Sequence, residues 1–365
     1  MNSSISSSEG RDAPAATARH LLWMGVSAII GFMAIWAYVA AFPTAYRTDA
    51  YIHWLVQQQR LVACDLGEVA VFGDSKPQAA IRPRSMNTQV VNLAISGTSP
   101  LETYFTIEQA LLCPRKPRLV VLSFALNAFV RPAGFWTQDS SENMLTPAAR
   151  QELEDSAVRL DDTISIGPLP ADGLPGFARH WLYSVKFPPI SFGRLLHAWG
   201  GMRWWHNREL KQQIEQAVGF EQYAQQARTD QMAEDALLSS GHPRPLVDEY
   251  FMRTLRMLDT AGVDVVYLPI PVNQATRDGT SPRVSAELTD FLIRAAAAIP
   301  RLRIAGDPLL CWPNDMFSDR AHLNFAGAVA FSEDLDKRLR TVLACDPLVP
   351  PVSRCPITAN AGRPR

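Results

Sequence analysis

Short apolar runs alternate along this chain with longer segments in which apolar residues recur at helical spacing. The short runs are rich in β-branched residues, as in strands that are buried on both faces of a parallel sheet. Strands are predicted at residues 69–72, 90–93, 119–124, 263–268 and 302–305. Helices are predicted at residues 100–112, 247–258, 286–298 and 325–343. The pattern predicts an α/β fold with a doubly wound, mostly parallel sheet between two layers of helices.

The alternation is interrupted between about residues 131 and 241. This stretch has no strand pattern and several helical ones, including the polar run at residues 208–228. We interpret it as a helical insertion that caps the carboxyl ends of the strands, where α/β proteins build their sites. Its tryptophans either pack the cap onto the domain or present aromatic surfaces to a sugar or to the membrane interface. They are Trp136, Trp181, Trp199, Trp204 and Trp205.

Residues 21–41 form an apolar run without a charged side chain. As a helix the run would be roughly 30 Å long, which matches the hydrocarbon thickness of a bilayer. Trp23, Trp36 and Tyr38 lie towards its ends, as interfacial aromatic residues do. The run predicts an uncleaved transmembrane anchor, and a signal peptide or a buried core helix are the alternatives.

Flanking charges indicate an orientation for this anchor. Arg11 and Arg19 precede the run and Arg47 follows it, which favours a cytoplasmic amino terminus and a periplasmic or extracellular main domain. The predicted organisation is a disordered segment (1–20), the anchor (21–41), a linker (42–66), the main domain with its insertion (67–345) and a Pro-rich tail (346–365).

Composition narrows the range of partners. The 35 basic and 36 acidic residues give a net charge of −1, so nothing favours nucleic acid. The five cysteines, an odd number, show no metal-type spacing. Outside the cytoplasm Cys64 could pair with Cys113, and Cys345 with Cys355. The alternative is that these four and Cys311 are all unpaired thiols.

A candidate nucleophile follows the first predicted strand, in the sequence Gly73-Asp74-Ser75. A strand that turns into a helix at a glycine exposes the serine hydroxyl at the edge of the sheet. Backbone N–H groups at that turn can face a developing oxyanion. The alternative for Ser75 is a helix N-cap or turn residue.

A candidate base precedes the last predicted helix. His322 is the only histidine with an acidic residue, Asp319, three positions before it. Imidazole accepts a proton near neutral pH, and a carboxylate on its Nδ1 side fixes the tautomer and stabilises the imidazolium. The alternative is a capping or surface histidine.

Two further candidates follow the second and third strands. Gly97 has no side chain and so allows close approach to its backbone, and Asn127 could donate its side-chain N–H₂ to an oxyanion. Alternatively, they are a turn glycine and a cap asparagine. Lys76, next to the nucleophile, is expected to be a solvated surface lysine rather than a contact for an anionic substrate.

Along the chain, the segments around Ser75, Gly97, Asn127 and His322 form four blocks. In this order they resemble the four blocks of the SGNH (GDSL-type) hydrolase family. The resemblance covers residues 68–127 and roughly 263–343, and it implies a three-layer, flavodoxin-like fold without a metal or cofactor. It implies that Ser75 is the nucleophile, His322 the base and Asp319 its orienting carboxylate. It also implies an oxyanion hole made by the N–H groups of Ser75 and Gly97 and by Asn127. The third block, Ala125-Leu126-Asn127-Ala128, departs from the Gly-x-Asn-Asp of many members.

With its anchor and insertion, the chain resembles membrane-anchored D-alanyl-lipoteichoic acid transfer proteins and polysaccharide O-acetylation proteins. This implies an esterase or O-acyltransferase at the inner membrane that acts through an acyl-serine on an envelope polysaccharide or lipid-linked polymer. A polytopic membrane acyltransferase is the implied partner. The first alternative is a catalytically idle, glycan-binding or scaffold subunit of an acylation complex. The second is an unrelated α/β protein with accidental motif matches.

Overall fold

The structure is a computed structural model. It describes residues 13–130, 144–166, 195–196, 198, 201–226 and 228–344. The chain divides into two compact units, Met1–Arg47 with Leu174–Trp205 and Thr48–Gly173 with His206–Arg365. Several predictions fall outside the described residues: the Pro-rich tail, the pairing of Cys345 with Cys355, and the surroundings of Trp136, Trp181 and Trp199.

The first unit contains the long helix α1, Ala13–Ala41. Its segment Thr17–Ala41, 25 residues long, is apolar enough to cross a membrane and is almost entirely uncovered by other parts of the protein. At 1.5 Å per residue this segment is about 37 Å long, which exceeds the hydrocarbon core of a bilayer. The helix begins at Ala13, so the prediction of disorder up to residue 20 was wrong for residues 13–20, where helix-forming alanines extend the apolar helix.

The end of α1 packs against part of the insertion. Val39, Ala45 and Tyr46 form a small apolar cluster, with Leu195 and Ala198 packed against it. The Tyr46 hydroxyl donates a hydrogen bond to the Val39 carbonyl oxygen at 2.9 Å. These contacts hold the chain where it leaves the long helix.

The second unit is built on a five-stranded parallel sheet in the order β2-β1-β3-β4-β5. Its strands are β1 (Val69–Gly73), β2 (Val90–Asn92), β3 (Leu119–Ser123), β4 (Asp264–Tyr267) and β5 (Leu302–Ile304). Each agrees with its prediction to within one residue at either end. The α/β class with a parallel sheet is therefore confirmed.

The remaining helices lie between and beside the strands. They are α2 (Asp49–Ala63), α3 (Ser75–Ala80), α4 (Pro100–Leu111), α5 (Leu126–Val130), α6 (Pro147–Arg159), α7 (Met202–Gln216), α8 (Pro245–Thr260), α9 (Gln274–Gly279), α10 (Pro282–Ala298) and α11 (Phe325–Ala344). Four of them begin with proline, whose missing N–H costs no hydrogen bond at the first helical position. The segment interpreted as a linker contains α2, which has several buried side chains.

Alternate residues of the strands point into two separate cores. Ala70 and Phe72 of β1 contribute to the core beneath α4, α8 and α10. Val69 and Val71 contribute to the core beneath α11 on the opposite face. Both faces are thus covered, which explains why the strands are apolar at successive positions.

A disulfide joins Cys64, at the end of α2, to Cys113, in the turn after α4, with a Cα–Cα distance of 5.5 Å. This decides between the two alternatives for that pair. Cys311 is a free thiol. The bridge fixes the helix that precedes the sheet to the helix that connects β2 to β3.

The sheet order creates a crevice at the end of β1. From β1 the chain passes to β2 on one side, and it returns to β3 on the other side. The loops that follow β1 and β3 therefore diverge, and crevices of this kind are where open α/β sheets bind their ligands.

Candidate active site

Ser75 is the first residue of α3, directly after the end of β1. At Gly73 an added Cβ would overlap the carbonyl oxygen of Ser123 on β3, so only glycine fits there. Asp74 caps α3, because its Oδ1 accepts the Lys76 N–H at 2.9 Å. The strand, glycine and cap together place the half-buried Ser75 side chain at the crevice.

Asp319 and His322 lie in a tight loop that leads into α11. The N–H of Ser318 donates to the His322 carbonyl oxygen at 2.8 Å and closes the loop. Asp319 Oδ1 accepts the N–H groups of Ala321 at 2.7 Å and of His322 at 2.8 Å. One carboxylate oxygen thus shapes the loop, and the other is left for the ring.

The structure brings Ser75, His322 and Asp319 into one hydrogen-bonded chain. Asp319 Oδ2 lies 2.8 Å from His322 Nδ1, and His322 Nε2 lies 2.9 Å from Ser75 Oγ. An ionised carboxylate only accepts hydrogen bonds, so Nδ1 carries the proton. In the neutral ring Nε2 is then the acceptor, and it faces the Ser75 hydroxyl.

The electrostatics of this loop keep Asp319 ionised. Burial opposes the charge, but hydrogen bonds from the His322 ring and from the N–H groups of Ala321 and His322 outweigh it. The pKa of Asp319 is therefore below its ordinary value. The ionised Asp319 stabilises the imidazolium that forms when a proton arrives at Nε2.

Gly97 and Asn127 line the same cavity as Ser75 and His322, and its volume is about 480 Å³. Gly97 has φ +79°, a conformation that suits glycine. Asn127 is half-buried in the first turn of α5, and its backbone N–H donates to Asp235 Oδ1 at 3.0 Å. Both predicted oxyanion residues are therefore at the cavity wall.

Lys76 is buried, and the expectation of a solvated lysine was wrong. Its Nζ forms an ion pair with Asp235 Oδ2, and both side chains are less than 10% exposed. Asp235 belongs to the turn Glu234–Leu237, at the end of the insertion. The partner lies 159 residues away in the chain, so the sequence around Lys76 gave no sign of it.

Asp74 connects the serine turn to the loop that follows β3. Its Oδ2 accepts the N–H of Ala125 at 2.6 Å. Burial raises the pKa of Asp74, against the opposing effects of the Ala125 and Lys76 hydrogen bonds and the Lys76 charge. Asp74 and Asp235 thus accept the N–H groups of Ala125 and Asn127 in the segment that follows β3. Sequence reasoning assigned a role to neither, although Asp74 stands in the recognised motif.

Tyr223 is a further site residue that sequence reasoning missed. Its ring stacks on the His322 ring with a centroid distance of 4.2 Å and an interplanar angle of 13°. The residue lies in the polar run 208–228, which we expected to be helical. The helix α7 ends at Gln216 instead, because Val218 and Gly219 take positive φ values. Gly219 was the one local signal of this break.

The outer wall of the cavity carries charged side chains. Arg320 Nη2 pairs with Glu234 Oε1 at 2.8 Å, and Arg228 and Gln226 also line the wall. The Arg320–Glu234 pair is exposed, so solvent screens it and it adds little to stability. A polar substrate would find several hydrogen-bonding partners here.

No family model matches the chain, and no curated protein matches it.

Proposed function

We propose that this protein is a membrane-anchored serine hydrolase or acyltransferase of the SGNH type. Its substrate is an ester of a cell-envelope polysaccharide or of a lipid-linked polymer. The observation that carries the proposal is the chain of hydrogen bonds from Ser75 Oγ through His322 to Asp319. The resemblance of the four sequence blocks to the SGNH family supports it.

In the proposed reaction, Ser75 Oγ attacks the ester carbonyl carbon while its proton passes to His322 Nε2. Asp319 stays ionised and stabilises the imidazolium that forms. The ester C–O bond then breaks, and the leaving alkoxide takes the proton from Nε2. Water or an acceptor hydroxyl attacks the acyl-serine with His322 again as base, which restores the free Ser75.

The negative charge on the tetrahedral intermediate needs hydrogen-bond donors. We propose three donors: the backbone N–H groups of Ser75 and Gly97 and the side-chain amide of Asn127. All three residues line the cavity beside the nucleophile. Loss of one such donor typically costs a factor of about 10² to 10³ in kcat.

The location of the proposed reaction is the outer face of the inner membrane. Helix α1 is long and apolar enough to serve as a single-pass anchor. The Cys64–Cys113 disulfide supports a periplasmic or extracellular main domain, because such bonds persist in oxidising compartments. An anchored enzyme of this kind would meet acylated polymers at the membrane and would receive its acyl group from a polytopic acyltransferase.

A serine-directed fluorophosphonate tests the proposal. We expect the purified full-length protein to be labelled on Ser75, as identified by mass spectrometry of the tryptic peptide. Ser75→Ala should abolish the adduct, and His322→Ala should reduce labelling to a residual rate. Ser285→Ala, on α10 and outside the cavity lining, is a control that should retain the adduct. An intact protein that stays unlabelled would contradict the proposed chemistry.

Envelope acylation in cells separates the enzyme from the alternative scaffold subunit. The departure of the third block around Asn127 from the family sequence is the observation that favours a scaffold. If Ser75→Ala at normal protein levels abolishes acyl transfer to envelope polymer, the enzyme is supported. Unchanged acylation in that variant would favour the scaffold.

A further inference from the structure

A ten-residue segment crosses the site after α7 ends, and we call residues 217–226 the strap. Three backbone hydrogen bonds attach the strap to the elements that carry the site. Asn92 N–H, at the end of β2, donates to the Val218 carbonyl oxygen at 3.2 Å. Glu221 N–H donates to the Gln78 carbonyl oxygen on α3, also at 3.2 Å. The strap is thus fixed both to β2 and to the helix that begins with the nucleophile.

The third of these bonds reaches the loop of the candidate base. Gln226 N–H donates to the carbonyl oxygen of Ser318 at 2.7 Å. Ser318 precedes Asp319, and its own N–H closes the loop on His322. The strap therefore spans from the serine side of the cavity to the histidine side.

The first turn of the strap is conformationally demanding. Val218 has φ +56°, which is rare for a β-branched residue, and Gly219 has φ +90°. A Cβ on Gly219 would overlap the Asn92 carbonyl oxygen. Such backbone conformations persist only where the surrounding structure enforces them, and they cluster at functional sites.

This arrangement delivers Tyr223 onto the imidazole. The two rings are nearly parallel and in van der Waals contact. The Tyr223 hydroxyl donates to Gln78 Oε1 at 3.4 Å, and Gln78 is itself fully buried beside His53. Burial, followed by the nearby negative charge of Glu221, raises the pKa of the Tyr223 phenol. The phenol is therefore a neutral donor across the physiological range.

We propose that Tyr223 is a positioning residue for His322, held in place by the strap. This inference rests on the proposed serine chemistry. Asp319 fixes the ring only through Nδ1, which leaves rotation about that hydrogen bond open. The stacked phenol ring removes that freedom and keeps Nε2 aimed at Ser75 Oγ. Its π face also favours the imidazolium that forms during attack.

The test is the rate of Ser75 labelling by a fluorophosphonate in full-length protein. Tyr223→Leu removes the aromatic face and should slow labelling by about ten- to a hundredfold, since small misplacements of a catalytic group are costly. Tyr223→Phe keeps the face and should stay within about twofold of the wild type. Gln222→Leu, the exposed neighbour on the strap, is the matched control and should have no effect.

Two further measurements separate positioning from a merely structural role. In a His322→Ala background, where only residual labelling remains, Tyr223→Leu should cause no further loss, because its effect passes through the imidazole. In NMR spectra of histidine-labelled protein, the His322 ring protons should show an upfield ring-current shift that Tyr223→Leu abolishes and Tyr223→Phe preserves.

Labelling of Tyr223→Leu at the wild-type rate, or an equal loss in the His322→Ala background, would overturn the positioning role. Failure of the wild-type protein itself to label would instead contradict the proposed function. In that case the ring-current shift still reports whether the two rings stack.

Discussion

Asp319 shows how much one carboxylate contributes at the residue scale, because one oxygen shapes the loop and the other orients His322. Asp319→Asn should slow Ser75 labelling by roughly 10³ to 10⁴, as expected when the orienting carboxylate is lost and the ring takes the wrong tautomer. Circular dichroism should show an unchanged fold. A labelling rate within tenfold of the wild type would contradict the assigned role.

The same carboxylate predicts a pH dependence of stability. Its folded-state pKa is depressed, so its contribution to the free energy of unfolding is present above the unfolded pKa of about 3.9. That contribution is lost as the pH falls through the folded-state pKa. Denaturant titrations should therefore give the wild type a larger free energy of unfolding than Asp319→Asn at pH 7. The two free energies should converge at acid pH. A constant difference would contradict this.

The buried Lys76–Asp235 pair gives a third prediction at this scale. Lys76→Met leaves a buried carboxylate without its cation and should lower the free energy of unfolding by about 3 to 5 kcal/mol. The double variant Lys76→Met/Asp235→Leu should lose less than the sum of the single changes. As a control, Arg159→Met removes the exposed pair with Glu249 and should leave the free energy of unfolding almost unchanged, because solvent screens the pair. Equal losses in both pairs would contradict the burial argument.

The predicted site residues were recognisable because each stands beside a local signal. Ser75 follows an apolar strand and a glycine, and Asp319 precedes His322 by three positions. Lys76, Asp235 and Tyr223 depend on contacts between segments far apart in the chain, such as the 159 residues that separate Lys76 from Asp235. A single sequence has no local pattern for such contacts.

At the scale of elements, the strap depends on a tightly constrained backbone at Gly219. Gly219→Ala adds the strain of a positive φ and an overlap with the Asn92 carbonyl oxygen. We expect it to cost more than the roughly 1 to 2 kcal/mol of the strain alone and to slow Ser75 labelling as the strap shifts. Gly262→Ala is the matched control, since Gly262 also has positive φ but an added Cβ would meet no neighbouring atom there.

Gly262→Ala should therefore lose stability from the strain alone and keep the wild-type labelling rate. Thermal melting and labelling kinetics measure the two effects separately. Equal stability losses and equal labelling rates in the two variants would show that the close approach of the strap to β2 does not affect the site.

The elements themselves were predictable where the hydrophobic period was strong. All five strands and the helices α4, α8, α10 and α11 have buried faces that leave a clear pattern. The strap and α2 were misjudged. α2 lies in the segment that we interpreted as a linker, and its buried residues include the polar His53 and Gln57. Apart from Gly219, the strap has no local signal, because its conformation depends on hydrogen bonds with Asn92, Gln78 and Ser318.

At the scale of the whole molecule, the Cys64–Cys113 bridge closes a loop with a sequence separation of 49. Replacing both residues with alanine should lower the free energy of unfolding by roughly 2 to 5 kcal/mol. If the main domain lies outside the cytoplasm, alkylation of cells that are denatured without reduction should leave Cys64 and Cys113 unmodified. Cys311 should be alkylated in the same sample and serves as the internal control. Free Cys64 and Cys113 would contradict the orientation.

The distance along the chain between Ser75 and His322, 247 residues, has a consequence for biogenesis. At 5 to 20 residues per second, Ser75 is synthesised roughly 10 to 50 s before His322. The base also needs α11, whose apolar face completes the core on the Val71 side of the sheet. Under the proposed chemistry, a chain still in synthesis would not yet react with esters. Reactivity would begin only when synthesis is nearly finished and the final helix docks.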